Sequence, residues 1–171
     1  MPRYREFIRD TQRVAQDVIV GNAGWQQVLE ANTVAFTDDF VYRPEFLANY
    51  PETLSAAAYV DKLQVQAGKV LTFDEFFRLA NGLMAGLETR GSVLRKIAES
   101  QKFSDAEFNR AFVLMQYFGY LRRDPHTAPD SDLSGYNFCL NKLNQFDGNY
   151  IDAEMIKAFI TSFEYRQRFA Q

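Results

Sequence analysis

The sequence predicts an all-α fold, a compact helical domain of imperfect three-helix repeats with a period of about 61 to 62 residues. Apolar residues recur at intervals of three and four, and capping residues precede these periodic segments. No segment alternates between polar and apolar at every second residue, so no strand is predicted. With 171 residues, 47% hydrophobic and 15% aromatic, the chain can bury a core of ordinary size.

The first clear helix begins at Trp25, because the apolar residues from there to Phe40 lie on one face of a helix. Pro44 is expected to end this segment, since proline cannot continue a helix. Ser55 is a candidate cap for the next helix, and Gly68 is a stop signal for it.

Two capping boxes follow, in which a Ser or Thr precedes a Glu by three residues. The first is formed by Thr72 and Glu75, and the second by Ser104 and Glu107. Between the two helices that they start, the spacing predicts a further helix over about residues 92–103.

The segment 111–121 is apolar on nearly every side, which predicts a central buried helix. Asp124-Pro125 closes it, and a polar loop runs on to Ser134. Two more helices are predicted over about residues 135–145 and 150–165.

Internal similarity predicts the repeat. Residues 35–46 share six identities with residues 158–169 when the two segments are aligned without gaps. A weaker copy lies between them, because Ile97 is 61 residues after Phe36 and 62 before Phe159. We expect these three residues to be buried at equivalent places in three related units, the first of which lacks its opening helix. The domain prediction is N-terminal repeats over 1–105 and a C-terminal repeat over 106–171, together forming one compact body.

Three segments of the C-terminal part carry a family resemblance: FVLMQYFGYLRRDP at 112–125, SGYNF at 134–138, and AFITS at 158–162 followed by Tyr165 and Phe169. Over about residues 106–171 the chain resembles domain-of-unknown-function family 4214. The segments PRYREF at 2–7 and RPEF at 43–46 resemble the region that commonly precedes that domain in large bacterial proteins.

The resemblance implies a helical module, similar to phycobilisome linker domains, that occurs repeatedly in secreted or surface proteins beside adhesion-type or calcium-binding repeats. It implies an extracellular or cell-surface location and no established activity. This sequence departs from the family pattern in two places. Cys139 stands where the family has an aromatic residue, usually Trp, and the loop from Asp124 to Ser134 is longer than in many members.

Charge and hydropathy exclude several partners. The net charge is −3, and no basic run is longer than Arg122-Arg123, which argues against nucleic-acid binding and against a polybasic membrane surface. The sequence contains no run of eighteen apolar residues, so no insertion into a membrane is predicted. The single cysteine allows no internal disulfide and no cysteine-based zinc cluster.

Candidate catalytic chemistry is sparse. The only histidine, His126, lies in the polar loop, and the chain has neither a phosphate loop nor a dinucleotide fingerprint. The sequence therefore predicts no catalytic residues and no organic cofactor.

Calcium is the one metal that the sequence suggests. Asp130, Asp132 and Ser134 occupy the first, third and fifth positions of a calcium-loop pattern, and Gly135 occupies the sixth. Asn141 stands at the twelfth position, where the pattern requires a bidentate Glu. The alternative is an Asx-type turn in which Asp132 or Ser134 caps the next helix.

Phe112, Phe118 and Tyr120 are candidate partner-binding residues, because their helix is too apolar all round for an ordinary surface helix. They lie either at the centre of the core or at a contact with another chain. We expect a non-catalytic interaction or assembly module, part of a larger bacterial secreted or surface protein, which binds another protein or a second copy of itself. The competing function is a weak calcium-binding surface or adhesion module, and an enzyme ranks third.

Overall fold

Helices account for all regular structure in the part of the chain that the structure, a computed structural model, describes, residues 1–169. No strand occurs within these residues, so the predicted all-α class is confirmed. The side chain of Phe169, the last of the six repeat identities, lies outside the described set. The helices are α1 Tyr4–Val14, α2 Trp25–Phe40, α3 Pro44–Asn49, α4 Ala56–Gln66, α5 Phe73–Met84, α6 Arg90–Ala98, α7 Gln101–Gln116, α8 Ser134–Gln145, α9 Met155–Ile160 and α10 Phe163–Phe169, with a π-helical segment at Tyr117–Leu121.

The chain divides into two units. The N-terminal unit comprises residues 9–105, and the C-terminal unit comprises residues 106–171 together with residues 1–8. Each unit has its own cluster of buried apolar side chains.

Helices α4, α5 and α6 surround the core of the N-terminal unit. Ser55 caps α4 by accepting a hydrogen bond from the Ala58 amide at 3.2 Å. Thr72 and Glu75 form the predicted reciprocal capping box at the start of α5. The buried core consists of Tyr59, Val60, Leu63, Val70, Leu79, Ala80, Val93 and Ile97.

Helix α6 also packs closely against α2. Thr89 and Ser92 start α6 with a second reciprocal capping box, in which each side chain accepts from the other residue's amide at 2.9 Å. Gly91 is buried where the two helices meet: a Cβ atom added there would lie 2.8 Å from the Asp38 nitrogen and 2.9 Å from the Asp38 Cα. The spacing of α2 and α6 therefore depends on a residue without a side chain.

The C-terminal unit is built around the end of α7 and the π-helical segment. The predicted central segment 111–121 is helical throughout, although its last turn is π-helical. Tyr4 and Phe7 of α1 cover the ring of Phe118, with centroid distances of 5.5 and 5.2 Å. The buried core consists of Val113, Leu114, Tyr117, Phe118, Leu121, Tyr136, Leu143, Ala153, Met155 and Phe159.

Several predicted helix ends differ from the structure. The capping box predicted at Ser104 and Glu107 was wrong, because α7 already begins at Gln101 and the Ser104 amide donates to the Ser100 carbonyl at 3.0 Å. The helix predicted over 92–103 is α6, which ends at Ala98.

Three further differences concern helical segments. Pro44 begins α3 at its first position, where its missing N–H is not needed. The single helix predicted over 150–165 is instead α9 and α10, separated at Thr161 and Ser162, and α1 was not predicted at all.

The three residues chosen as repeat markers differ in burial. Ile97 and Phe159 are 3% and 5% exposed, whereas Phe36 is only half-buried, with the Arg43 guanidinium 5.4 Å from its ring centroid. The repeat itself is not tested by these contacts and stays a prediction. Among the described helices, none is both long and apolar enough to cross a membrane.

Candidate functional site

Two of the three candidate partner-binding residues are covered by their own chain. Phe118 is 4% exposed beneath Tyr4 and Phe7. Tyr120 is half-buried and lies edge-on to Tyr165, with its ring centroid 6.5 Å from that of Phe159. Of the two alternatives left open by the sequence, the core role therefore applies to Phe118.

Phe112 is different, because its ring belongs to a row of aromatic side chains that reaches the surface. It stacks on Tyr150 with a centroid distance of 5.1 Å and an interplanar angle of 27°, and it lies 6.3 Å from Phe108. Phe108 is 54% exposed and Tyr150 is 39% exposed. We call Phe108, Phe112 and Tyr150 the aromatic surface.

Polar groups beside the aromatic surface are engaged with one another. Arg110 donates to Glu107 at 2.8 Å, and Asn109 donates to the Asn144 side-chain carbonyl at 2.9 Å. These four residues neighbour Phe108 along α7 or lie across from it on α8. The aromatic surface thus combines exposed rings with polar side chains that already have partners.

The loop after the π-helical segment is organised by Arg123. Its guanidinium donates to both carboxylate oxygens of Glu164, at 2.7 and 2.8 Å, and to Asp130 at 2.7 Å. It also donates to the backbone carbonyls of Asp124 and Thr127, at 3.0 and 2.9 Å. These contacts use all five N–H donors that an arginine carries. The Arg123 side chain is only 11% exposed, so these are well-shielded interactions.

The three candidate calcium ligands have separate roles in this loop. Asp130 is held by Arg123, whereas Asp132 accepts a hydrogen bond from the Ser134 amide at 2.8 Å, where α8 begins. Hydrogen bonds from the side chain and the backbone amide of Ser134 lower the pKa of Asp132. Asp132 therefore forms an Asx-type turn with Ser134, which is the alternative to calcium binding that the sequence left open. Calcium binding by Asp130, Asp132 and Ser134 stays a prediction; within residues 1–169 no group of three or more His, Cys, Asp or Glu side chains is arranged as a metal site.

Two further ionisable side chains of the C-terminal unit are shielded from solvent, Tyr117 almost fully and Cys139 partly. Burial raises the pKa of Tyr117 to about 12, and burial also raises the pKa of the Cys139 thiol. The Arg123 guanidinium lies 5.3 Å from the Tyr117 ring centroid. A raised thiol pKa lowers the fraction of thiolate, which disfavours a nucleophilic role for Cys139. His126, the only histidine, is exposed in the loop.

In the N-terminal unit, a groove of about 400 Å³ lies between α2 and α6. Its lining includes Asp38 from α2, Leu87 and Thr89 from the loop before α6, Arg95 from α6, and Glu99 directly after α6. This groove was not predicted from the sequence, because its two helices are far apart in the chain. Val34 and Leu87 can be recognised as apolar from the sequence, but their exposure is seen only in the structure.

Comparisons with known proteins identify no relative. No family model matches the chain, and no curated protein and no solved structure shows significant similarity to it. The resemblance to family 4214 therefore rests on the sequence segments quoted above and stays a prediction.

Proposed function

We propose that this chain is a non-catalytic protein-interaction module that assembles through the aromatic surface, with a second copy of the chain as its partner. The observation that carries the proposal is the exposure of Phe108 and Tyr150 at the two ends of a row of aromatic rings that Phe112 connects. Aromatic residues are enriched at the centres of protein interfaces, where charged residues are depleted. Phe112 was among the residues chosen from sequence for this role.

Burial of the exposed rings would supply part of the free energy of such a contact. An aromatic side chain presents about 150–250 Å². At 54% exposure, Phe108 therefore offers roughly 100 Å² for burial, which corresponds to about 2.5 kcal/mol. The paired side chains of Glu107 and Arg110 and of Asn109 and Asn144 can form a polar rim without breaking their own contacts.

Sedimentation velocity of the full chain, from about 10 μM to 1 mM, tests this proposal. We expect concentration-dependent dimers, and we expect Phe108→Ser to weaken the dimer by at least about tenfold because it removes the most exposed ring of the row. Phe73→Ser is the matched control, since Phe73 is also an exposed aromatic residue, at 75%, but lies on α5 of the other unit.

Two results would contradict the proposal. One is a chain that remains monomeric over the whole concentration range. The other is a dimer that Phe73→Ser weakens as much as Phe108→Ser, because association would then not involve the aromatic surface.

The resemblance to family 4214 supports a wider setting for such a module. We propose that the chain belongs to a larger bacterial secreted or surface protein, in which helical modules of this kind recur. Sequencing the gene on both sides of the coding segment and locating the protein in fractionated cells test this proposal directly.

A further inference from the structure

We propose that the groove between α2 and α6 binds a lysine or arginine side chain of a partner protein, flanked in that partner by apolar residues. This inference concerns the N-terminal unit, whereas the aromatic surface lies in the C-terminal unit. The two proposals can therefore fail independently.

The groove has the size of a ligand pocket. Its volume is about 400 Å³, within the range of roughly 300–1,000 Å³ that is usual for small-ligand sites. One wall is the α2 face bearing Glu30, Val34, Thr37 and Asp38, whose spacing of three and four residues places them in one row. Helix α6 and the loop before it form the other wall. An extended peptide segment can lie along such a groove and insert one side chain.

Apolar side chains beside the groove are unusually exposed. Leu87 is 83% exposed and Val34 is 43% exposed, and both line the groove. The methylene stem of a lysine or arginine packs well on apolar side chains while its charged end reaches polar groups. Apolar residues on either side of that basic residue would cover the rest of Leu87.

The charges of the lining favour a cation. Four carboxylates line the groove, Glu30, Asp38, Glu88 and Glu99, against two cations, Arg95 and Lys96, which leaves a net charge of −2 (2 − 4).

Both cations of the lining are already engaged. Arg95 contacts Glu30 and Glu99 at 2.7 Å each, and Lys96 contacts Glu88. Glu30, Glu88 and Glu99 each pair with one of these cations, whereas the Asp38 carboxylate accepts a hydrogen bond from a neutral donor, the Thr89 hydroxyl, at 2.8 Å. A basic side chain beside Asp38 would therefore complement the lining.

Asp38 is also held in place before any ligand arrives. Its backbone lies against Gly91, and Thr89, which donates to its carboxylate, is fixed by its own capping box with Ser92. A carboxylate on rigid elements loses little freedom on binding, so more of the contact energy contributes to affinity.

Chemical-shift mapping on the ¹⁵N-labelled full chain tests the proposal with three peptides: acetyl-Leu-Lys-Leu-amide, acetyl-Leu-Glu-Leu-amide and acetyl-Gly-Lys-Gly-amide. We expect the first to shift the amides of Val34, Thr89 and Ser92 with a Kd on the order of 1 mM, and the second to leave them unchanged. The third should bind more weakly, because it lacks the apolar flanks.

Asp38→Asn should weaken binding of the first peptide by about fivefold, the effect expected for one partly exposed charge pair. Asparagine can still accept the Thr89 hydrogen bond, so the fold of the groove is kept. Asp61→Asn is the matched control, because Asp61 is exposed on α4, is absent from the groove lining and loses the same charge.

The proposal would be overturned if the Leu-Glu-Leu peptide shifted the same amides as strongly, or if Asp38→Asn and Asp61→Asn weakened binding of the Leu-Lys-Leu peptide equally. It would also be overturned if 10 mM Leu-Lys-Leu peptide, about tenfold above the expected Kd, shifted none of the groove amides. Equal binding of Gly-Lys-Gly would refute the apolar flanks and leave a bare cation site.

Discussion

At Gly91 we expect even the smallest added side chain, the methyl group of alanine, to destabilise the fold. In Gly91→Ala the new Cβ would lie 2.8 Å from the Asp38 nitrogen and 2.9 Å from its Cα. Both atoms belong to the backbone of α2, so a rotamer change cannot relieve the contact. To reach even a tight contact of about 3.4 Å, α6 and α2 must separate locally by roughly 0.6 Å.

Two effects of opposite sign determine the magnitude. Overpacking a well-packed contact costs about 1–3 kcal/mol, whereas replacing glycine by alanine inside a helix gains roughly 0.5–1 kcal/mol. We therefore expect Gly91→Ala to lower the free energy of unfolding by about 1–2 kcal/mol. Without the close approach of α2, the same substitution would be stabilising, so the sign of the change tests the reasoning.

Urea unfolding followed by tryptophan fluorescence reports on the N-terminal unit, because the only tryptophan, Trp25, lies on α2. Gly119→Ala is the control, since a Cβ added at Gly119 meets nothing within 4 Å; it should be neutral or stabilising by circular dichroism. The double variant with Asp38→Ala should not recover the stability, because the clash with the Asp38 backbone persists. An unfolding midpoint of Gly91→Ala at or above that of the unmodified chain would refute the argument.

Three further predictions concern the C-terminal unit. Burial raises the pKa of Tyr117 from its ordinary value of 10.0 to about 12, so the unfolded chain ionises first; stability is intact below pH 10 and falls between about pH 10 and 12. Tyr117→Phe should reduce that fall by roughly 2–3 kcal/mol in urea titrations at pH 9 and 12, and an unchanged pH slope would contradict it. Arg123→Lys should cost about 2 kcal/mol, since three donors cannot replace five, whereas Arg110→Lys at an exposed ion pair should cost under about 0.5; equal losses would contradict the shielded network. Asp132→Ala should cost about 1 kcal/mol with or without calcium if Asp132 only caps α8. A site with a Kd of about 10⁻⁴–10⁻³ M would instead stabilise the unmodified chain by about 1.4–2.7 kcal/mol at 10 mM calcium, and a melting temperature indifferent to calcium would exclude it.

The parts of the fold that were predicted correctly are those whose signals are local. Ser55 and the pair Thr72 and Glu75 bond to amides within three residues of themselves, so the sequence contains both partners of each contact. The apolar segment 111–121 was predicted for the same reason, because a helix apolar on all sides has to be covered.

The second capping box failed because the same local signal can occur inside a helix. The chain turns at Glu99 and Ser100 directly after α6, and α7 then begins at Gln101. The Ser104 amide is therefore already bonded to the Ser100 carbonyl and needs no cap. Where one helix ends depends on how closely the next one packs, which a four-residue motif does not encode.

Less of the candidate sites than of the fold could be predicted from the sequence, because they combine residues that are distant in sequence. Arg123 meets Glu164 from 41 residues away, and Arg95 meets Glu30 from 65 residues away. Phe112 was selected from its helix alone, yet its surface row depends on stacking with Tyr150. Pair contacts of this kind leave no periodic signature.

The cover over Phe118 has a consequence for how this protein is made. Tyr4 and Phe7 are synthesised well before Phe118 and the Asp124 carboxylate, which accepts from the Tyr4 amide across 120 positions. Tyr4 and Phe7 therefore lack these partners until more than 100 further residues have been synthesised. At about 5–20 residues per second this delay lasts on the order of ten seconds, during which Tyr4 and Phe7 are available to chaperones or to neighbouring chains. A ribosome display series halted before and after residue 124 would record when they become protected.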